Sequence, residues 1–158
     1  MARGERWWTG HAERSVSDTV SARVELVRDF YVDLNNIRLV HPLVVEVMAT
    51  DRRERADGYV QTYRVRDRIP LGPVTMPITY TARLDVPGSG DVRTEARQFP
   101  AVRLNGVVSF DEVEGGTRIT ERLRIEAPRP LVAMTVSQAV AAHVEMLAGI
   151  RRTFASRP

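Results

Sequence analysis

One histidine near the C-terminal end of the sequence stands where an apolar residue is expected. At about 100° per residue, residues 130–156 show the pattern of one long amphipathic helix. His143 lies near the centre of its apolar stripe, which consists of Val132, Val136, Ala139, Val140, Leu147, Ile150 and Phe154. An imidazole in a cavity beneath such a helix could act as an acid or base, or polarise a carbonyl group. The alternative is a core histidine that is bonded to a neighbouring polar group.

Glu121 is the second candidate for acid–base chemistry. It has the same strand parity as Ile119 and Leu123, so a regular strand points its carboxylate toward the apolar face. A buried carboxylate is costly unless it is paired. Paired with His143, it would form an acid–base dyad. The alternatives are a bulge that turns it outward, or a structural pair with an arginine. Asp18, on the first strand, is a weaker candidate of the same kind.

The sequence also suggests residues that would line a ligand pocket beneath the helix. Phenol groups in an apolar pocket can orient a ligand oxygen, and methionines can line a pocket that adapts in shape. Core filling is the alternative for all of them. The predicted ligand-binding residues are Tyr63, Met76, Ile78, Tyr80, Val108, Leu123, Val136, Val140 and Leu147.

The elements that would position these side chains follow from periodicity and turn residues. We predict a first strand at 11–20, a helix at 21–34 capped by Ser21 and broken at Asn35–Asn36, and a short helix at 37–41. Further strands are predicted at 43–51, 59–69, 74–86, 91–99, 102–113 and 117–127. Pro77 predicts that its strand is interrupted, bulged or at an edge. The long helix of residues 130–156 follows the last strand.

This order predicts an α+β fold with an antiparallel sheet and helices on one face. One sheet face is rich in Arg, Thr and Asp, and the other in apolar residues, so one face is exposed to solvent and one is covered. The stripe of Arg64, Arg66 and Arg68 is interpreted as part of the exposed face. We expect a lead-in at 1–10 and a single domain at 11–156.

The element order resembles that of the helix-grip fold. Three stretches are similar to bacterial members of the START-like, polyketide cyclase/dehydrase-like (SRPBCC) superfamily. They are Val20-Ser-Ala-Arg-Val-Glu-Leu-Val, Asp33-Leu-Asn-Asn with His41-Pro42, and Gly115-Gly-Thr-Arg-Ile-Thr. The resemblance covers about residues 11–155. Many relatives carry a tryptophan just before the His-Pro pair, and Val40 stands there in this sequence.

The resemblance implies a curved antiparallel sheet of about seven strands wrapped around the C-terminal helix, with two short helices after the first strand. It also implies a cavity for a hydrophobic small molecule: a lipid, a polyketide or an aromatic metabolite. Members include passive carriers and enzymes, and a fold does not choose between them. Three hypotheses follow: a carrier, a cyclase or dehydratase using His143 and Glu121, and a protein-interaction module with a filled core.

Composition limits the other functions. The 158 residues contain no cysteine, which excludes disulfides and thiolate catalysis, and no lysine, which excludes Schiff-base chemistry. The net charge of +3 comes from interspersed charges, so we expect no nucleic-acid binding. The three histidines lie in different elements and no phosphate loop or dinucleotide motif occurs, so we expect no metal and no cofactor. With no signal peptide or transmembrane segment expected, we predict a cytoplasmic monomer or homodimer.

Overall fold

A computed structural model describes residues 7–99 and 101–157. Seven strands form one antiparallel sheet in the order β1-β7-β6-β5-β4-β3-β2. Two short helices follow β1, and one long helix follows β7. The strands are β1 (Thr9–Val20), β2 (Val44–Glu54), β3 (Tyr59–Leu71), β4 (Val74–Val86), β5 (Val92–Gln98), β6 (Val102–Val113) and β7 (Gly116–Pro128). The helices are α1 (Val24–Val32), α2 (Leu34–Val40) and α3 (Val132–Ala155), the last preceded by a 3-10 turn (Arg129–Leu131).

The predicted strands all occur, and β4 and β6 have the predicted boundaries. Gly58 turns the β2–β3 hairpin at φ +93°, a conformation that side chains with a Cβ disfavour. Pro77 does not interrupt β4, and it pairs opposite Arg68 of β3. On the other side of β4, β5 pairs only with residues 81–85. Of the three alternatives for Pro77, the edge position is the correct one, because a proline can occupy a strand segment that lacks a second neighbour.

The two short helices differ from the prediction in their boundaries. Ser21 does not cap α1, which begins at Val24 with Arg23 in the cap position and no side-chain cap. The chain before it is held by β7, since the Thr117 hydroxyl donates to the Ala22 carbonyl at 2.7 Å. The break predicted at Asn35–Asn36 is also wrong. Asp33 caps α2 by accepting from the backbone N–H of Asn35 at 2.9 Å, so both asparagines lie in its first turn.

The long helix α3 lies against β1, β7 and α2. It buries Met146, Leu147, Ile150 and Phe154 in the core, and Phe154 meets Phe30 of α1 edge to face at 5.5 Å. Gln138 lies outside the apolar stripe but is half-buried, so α3 is covered on more than its stripe at this point. By length and hydropathy alone, residues 129–155 would suffice to cross a bilayer.

Candidate functional site

The structure brings His143 and Glu121 together. His143 Nδ1 lies 2.6 Å from Glu121 Oε2, across the interface between α3 and β7. Glu121 is completely buried, and the side chain of His143 is 15% exposed. An ionised carboxylate can only accept a hydrogen bond, so Nδ1 carries the hydrogen. The strand parity that predicts an inward Glu121 is therefore realised without a bulge.

Glu121 has the largest part in raising the pKa of His143. Burial alone would lower the pKa of an imidazole, but the attraction of the Glu121 carboxylate and its hydrogen bond raise the pKa of His143 above its usual value. Tyr31 of α1 lies on the other side of the same carboxylate. Burial, followed by the proximity of Glu121, raises the pKa of the Tyr31 hydroxyl well above its usual value. The three groups form a buried chain in which the phenol stays neutral and the pKa of His143 is raised.

A second histidine, His41, faces His143. Their ring centroids lie 5.7 Å apart and the ring planes are nearly perpendicular, at 85°. His41 Nδ1 accepts the backbone N–H of Leu43 at 3.2 Å, which leaves its own hydrogen on Nε2. Burial, and then the positive charge of His143, lower the pKa of His41 to about 3. The pKa values of the two neighbouring imidazoles are therefore shifted in opposite directions.

These residues open on a cavity between the sheet and α3. The cavity has two parts, of about 130 Å³ and about 100 Å³. Both parts are bordered by His41, Tyr80, Ala96, Leu104 and His143. The larger part extends toward the start of α3, along Thr135, Gln138 and Ala139, and the smaller part extends under α1 and α2, along Tyr31, Leu34 and Ile37. The wall is largely apolar, with its histidines at the junction of the two parts.

A second buried carboxylate, Asp67 of β3, lines the larger part of the cavity. It is 7% exposed, and its Oδ1 atom has no hydrogen-bond partner among the described residues. Burial raises its pKa to about 6, against the smaller opposing effects of the Tyr80 hydroxyl and of His143. The effect is mutual, because burial and then the adjacent Asp67 raise the pKa of Tyr80 well above its usual value.

Of the nine residues predicted to bind a ligand, only Tyr80 lines either part of the cavity. Five of the others are packed in the core, where neighbouring side chains cover them: Tyr63, Val108, Leu123, Val136 and Leu147. Val140 and Ile78 are partly buried outside the cavity wall, and Met76 is 43% exposed. The Tyr63 hydroxyl donates to the Val32 carbonyl at 3.5 Å, so it connects β3 to the end of α1.

The other charged residues considered from the sequence lie outside the cavity. Asp18 accepts from Arg151 at 2.6 Å and so connects β1 to α3. Arg64, Arg66 and Arg68 are exposed, as expected.

A larger depression, of about 750 Å³, lies on the outer face of the sheet and is lined by arginines interspersed with acidic residues. It contains none of the buried titratable groups. No set of three or more His, Asp or Glu side chains suited to a metal ion occurs within 7–99 and 101–157.

Sequence reasoning missed three residues of this cluster, namely Asp67, His41 and Tyr31. A signal existed for Asp67, which shares strand parity with Val65 and Ile69 on the inward face. Tyr31 shares a helical face with Val24 and Val27, but nothing local indicates that its hydroxyl meets Glu121. The position of His41 depends on how α2 packs against α3, which the sequence does not reveal.

Comparison with known proteins supplies the fold. No protein-family model matches this sequence, and no curated protein matches it. Among solved structures, TTHA0849 from Thermus thermophilus is similar, with a TM-score of 0.76 and 17% identity over 92% of this chain and 100% of that one. The Zhui aromatase/cyclase from Streptomyces sp. R1128 has a TM-score of 0.69 and 16% identity over 94% and 95% of the two chains. The chain has the helix-grip fold. The predicted helix-grip arrangement of strands and helices is thereby confirmed.

A domain of a two-domain protein has a similar structure. BexL, a di-domain aromatase/cyclase from the BE-7585A biosynthetic pathway, has a TM-score of 0.72 and 18% identity. The match covers 94% of this chain and 51% of BexL. At these identities the likeness establishes the architecture, and the chemistry has to be argued from the cavity itself.

Proposed function

We propose that this helix-grip protein binds a small hydrophobic molecule in the cavity between its sheet and α3. The observation that carries the proposal is the His143–Glu121 pair, joined at 2.6 Å, at the junction of two largely apolar spaces. An apolar cavity with a few convergent polar groups and perturbed pKa values is the usual form of a small-molecule site. The interaction-module hypothesis expects a filled core, and this cavity does not support it.

The cavity volume limits the size of the molecule. An apolar cavity of about 150 Å³ accepts benzene, whereas pockets for drug-sized ligands are about 300–1,000 Å³. Parts of about 130 Å³ and 100 Å³ therefore fit a molecule of one or two rings. Among lipids, polyketides and aromatic metabolites, a small aromatic or polyketide-derived molecule fits best. The aromatase/cyclase neighbours are compatible with that class.

Toluene provides a direct test of binding. We expect it to shift the backbone amide resonances of residues around the cavity in β3, β4 and α3, in a titration followed by ¹⁵N NMR. Ala139 lines the larger part of the cavity, so the phenyl ring of Ala139→Phe should fill that part and abolish the shifts. Ala141→Phe, at an exposed position of the same helix, is the matched control. Shifts that survive in Ala139→Phe, or none in the wild type, would contradict the proposal.

A second candidate function is acid–base catalysis in the same cavity, of the cyclase or dehydratase type. The dyad favours it, because Glu121 occupies Nδ1 of His143 and leaves Nε2 to exchange a proton with a bound molecule. In such a step, His143 would take a proton from a carbon next to a carbonyl group, or give one to a departing hydroxyl. Glu121 would hold the ring and stabilise its charge.

Hydrogen exchange on a simple ketone separates the enzyme from the carrier. In D₂O the wild type should accelerate exchange of the α-hydrogens of cyclohexanone, which has one ring, by about 10²-fold over buffer. His143→Gln, which retains a donor for the buried Glu121, should lose this acceleration, and His11→Gln, at an exposed position, should not. Exchange at the buffer rate in the wild type would reject the catalytic candidate and leave binding in place.

A further inference from the structure

Asp67 is a buried carboxylate outside the His143–Glu121 dyad. It lies on β3 between Val65 and Ile69, and its side chain lines the cavity beside His41 and His143. None of the ion pairs in 7–99 and 101–157 includes Asp67. The adjacent Arg66 and Arg68 are exposed and belong to the opposite face of the strand. Nothing on β3 itself therefore compensates the charge of Asp67.

The free oxygen of Asp67 points to a missing hydrogen-bond donor. Its Oδ1 atom is inaccessible to solvent and has no hydrogen-bond partner among the described residues. Buried acceptors are almost always satisfied, since an unsatisfied one loses its hydration without replacement. Asp67 lines the larger part of the cavity, so a rotation of its carboxylate would present this oxygen to a donor on a molecule bound there.

The surroundings of Asp67 distinguish between the possible donors. An ammonium group would bring a second positive charge next to His143, whose protonation Glu121 favours. It would also bring three N–H donors into a largely apolar wall. A hydroxyl group brings one donor and no charge. The larger part of the cavity, about 130 Å³, holds a single ring carrying such a group.

We propose that Asp67 accepts a hydrogen bond from a hydroxyl group of the bound molecule. The site would then select small phenols or cyclic alcohols over hydrocarbons of the same shape and over amines. This inference rests on the proposed binding function and adds to it the chemical class of the ligand.

The test compares phenol, benzene and benzylamine as probes, each titrated into the protein and followed by ¹⁵N NMR. A hydrogen bond to a charged group is worth at least about a factor of ten in affinity, so phenol should bind at least about tenfold more tightly than benzene. Asp67→Leu should remove this preference, because leucine has a similar shape and no acceptor. Asp67→Asn is the second variant, and its neutral acceptor should reduce the preference. Asp111→Leu, at an exposed position of β6, is the control and should retain it.

Thermal unfolding separates a binding role from a structural one. If Asp67 serves the ligand, Asp67→Asn should melt at a higher temperature than the ligand-free wild type, since it removes a buried charge whose burial outweighs the stabilisation by Tyr80 and His143. A lower melting temperature, equal affinities for phenol and benzene, or a preference that survives in Asp67→Leu would overturn the role of Asp67 and leave cavity binding intact. Tightest binding of benzylamine would overturn the choice of a hydroxyl. Failure of all three probes to bind would contradict the proposed function itself.

Discussion

At the scale of single residues, Glu121 controls the titration of the cavity. It is fully buried on β7, it holds His143 through Nδ1, and it lies beside the hydroxyl of Tyr31. A carboxylate in such a place raises the pKa of an imidazole that burial alone would lower. The positive charge of His143 then acts on the next ring, and together with burial it lowers the pKa of His41 to about 3.

Glu121→Gln should reverse the direction of the His143 shift. Without the carboxylate, burial is opposed only by the weaker attraction of Asp67, so we expect the pKa of His143 to fall below its ordinary value of about 6.5. NMR of the ring resonances of His143 between about pH 4 and about pH 9 measures this pKa directly. Glu145→Gln, at an exposed position of α3, is the control and should leave the titration unchanged. An unchanged pKa in Glu121→Gln would show that the pair does not form.

The same pair predicts how stability depends on pH. The folded-state pKa of His143 lies above its unfolded value of about 6.5, so the folded state binds the proton more tightly. The stabilisation is fully present below about pH 6.5 and is lost as pH rises through the folded-state pKa. Urea unfolding across this interval should show the loss in the wild type and not in His143→Gln. If the free energy of unfolding changed with pH in the same way in the wild type and in His143→Gln, the raised pKa of His143 in the folded state would be contradicted.

Strand parity correctly predicted that Glu121 points inward, and the helical stripe correctly predicted that His143 does. Both signals are local. Parity also pointed to Asp67, which lies between two inward apolar residues of β3. His41 could not be predicted in this way. It follows the last residue of a short helix, and its partner His143 is about a hundred residues away in the chain.

At the scale of elements, the approach of α2 to α3 places His41 beside His143. Gly149 makes that approach possible, since a Cβ at this position would lie 2.8 Å from the Cβ of Val40. Val40 is the last residue of α2, directly before His41. Val40 is therefore in contact with α3 in this protein. The sequence signalled the helices but not this contact, because it depends on one small residue in a distant element.

Gly149→Ala should push the two helices apart. Overpacking costs about 1–3 kcal/mol, and about 1 kcal/mol is returned by the better helix propensity of alanine. We therefore expect a net loss of up to about 2 kcal/mol in the free energy of unfolding, measured with urea. The double variant Gly149→Ala, Val40→Ala should recover most of the loss, since it removes the side chain that the new methyl group meets. Full stability in Gly149→Ala alone would show that α2 does not pack as described.

Helix boundaries were the least predictable feature of the elements. Asp33 caps α2 by accepting a hydrogen bond from the backbone N–H of Asn35. The two asparagines that follow Leu34 favoured a helix break instead, so the cap was missed. The delayed start of α1 has a distant cause, because the Thr117 hydroxyl of β7 holds the Ala22 carbonyl. By contrast, β4 and β6 have the predicted boundaries, since alternation and clear turns define both ends.

At the scale of the whole molecule, the curved sheet and α3 enclose a small space with a polar junction. Most of the predicted ligand-binding residues have the correct inward parity but are covered by neighbours, as Val108 and Leu147 are. Parity predicts which face a side chain occupies. It does not predict where the two layers separate, and that separation determines which inward residues line a cavity. The larger depression on the outer face of the sheet is lined by charged residues and has no buried titratable group.

The location of a bound heavy-atom probe tests the central claim most directly. We expect anomalous scattering from crystals soaked with iodobenzene to place the iodine in the cavity, between the sheet and α3 and within contact of Tyr80 or Leu104. The same soak of Ala139→Phe should show no iodine there, and Ala141→Phe should show it as in the wild type. Iodine in the outer depression, or none in the cavity of the wild type, would contradict the account.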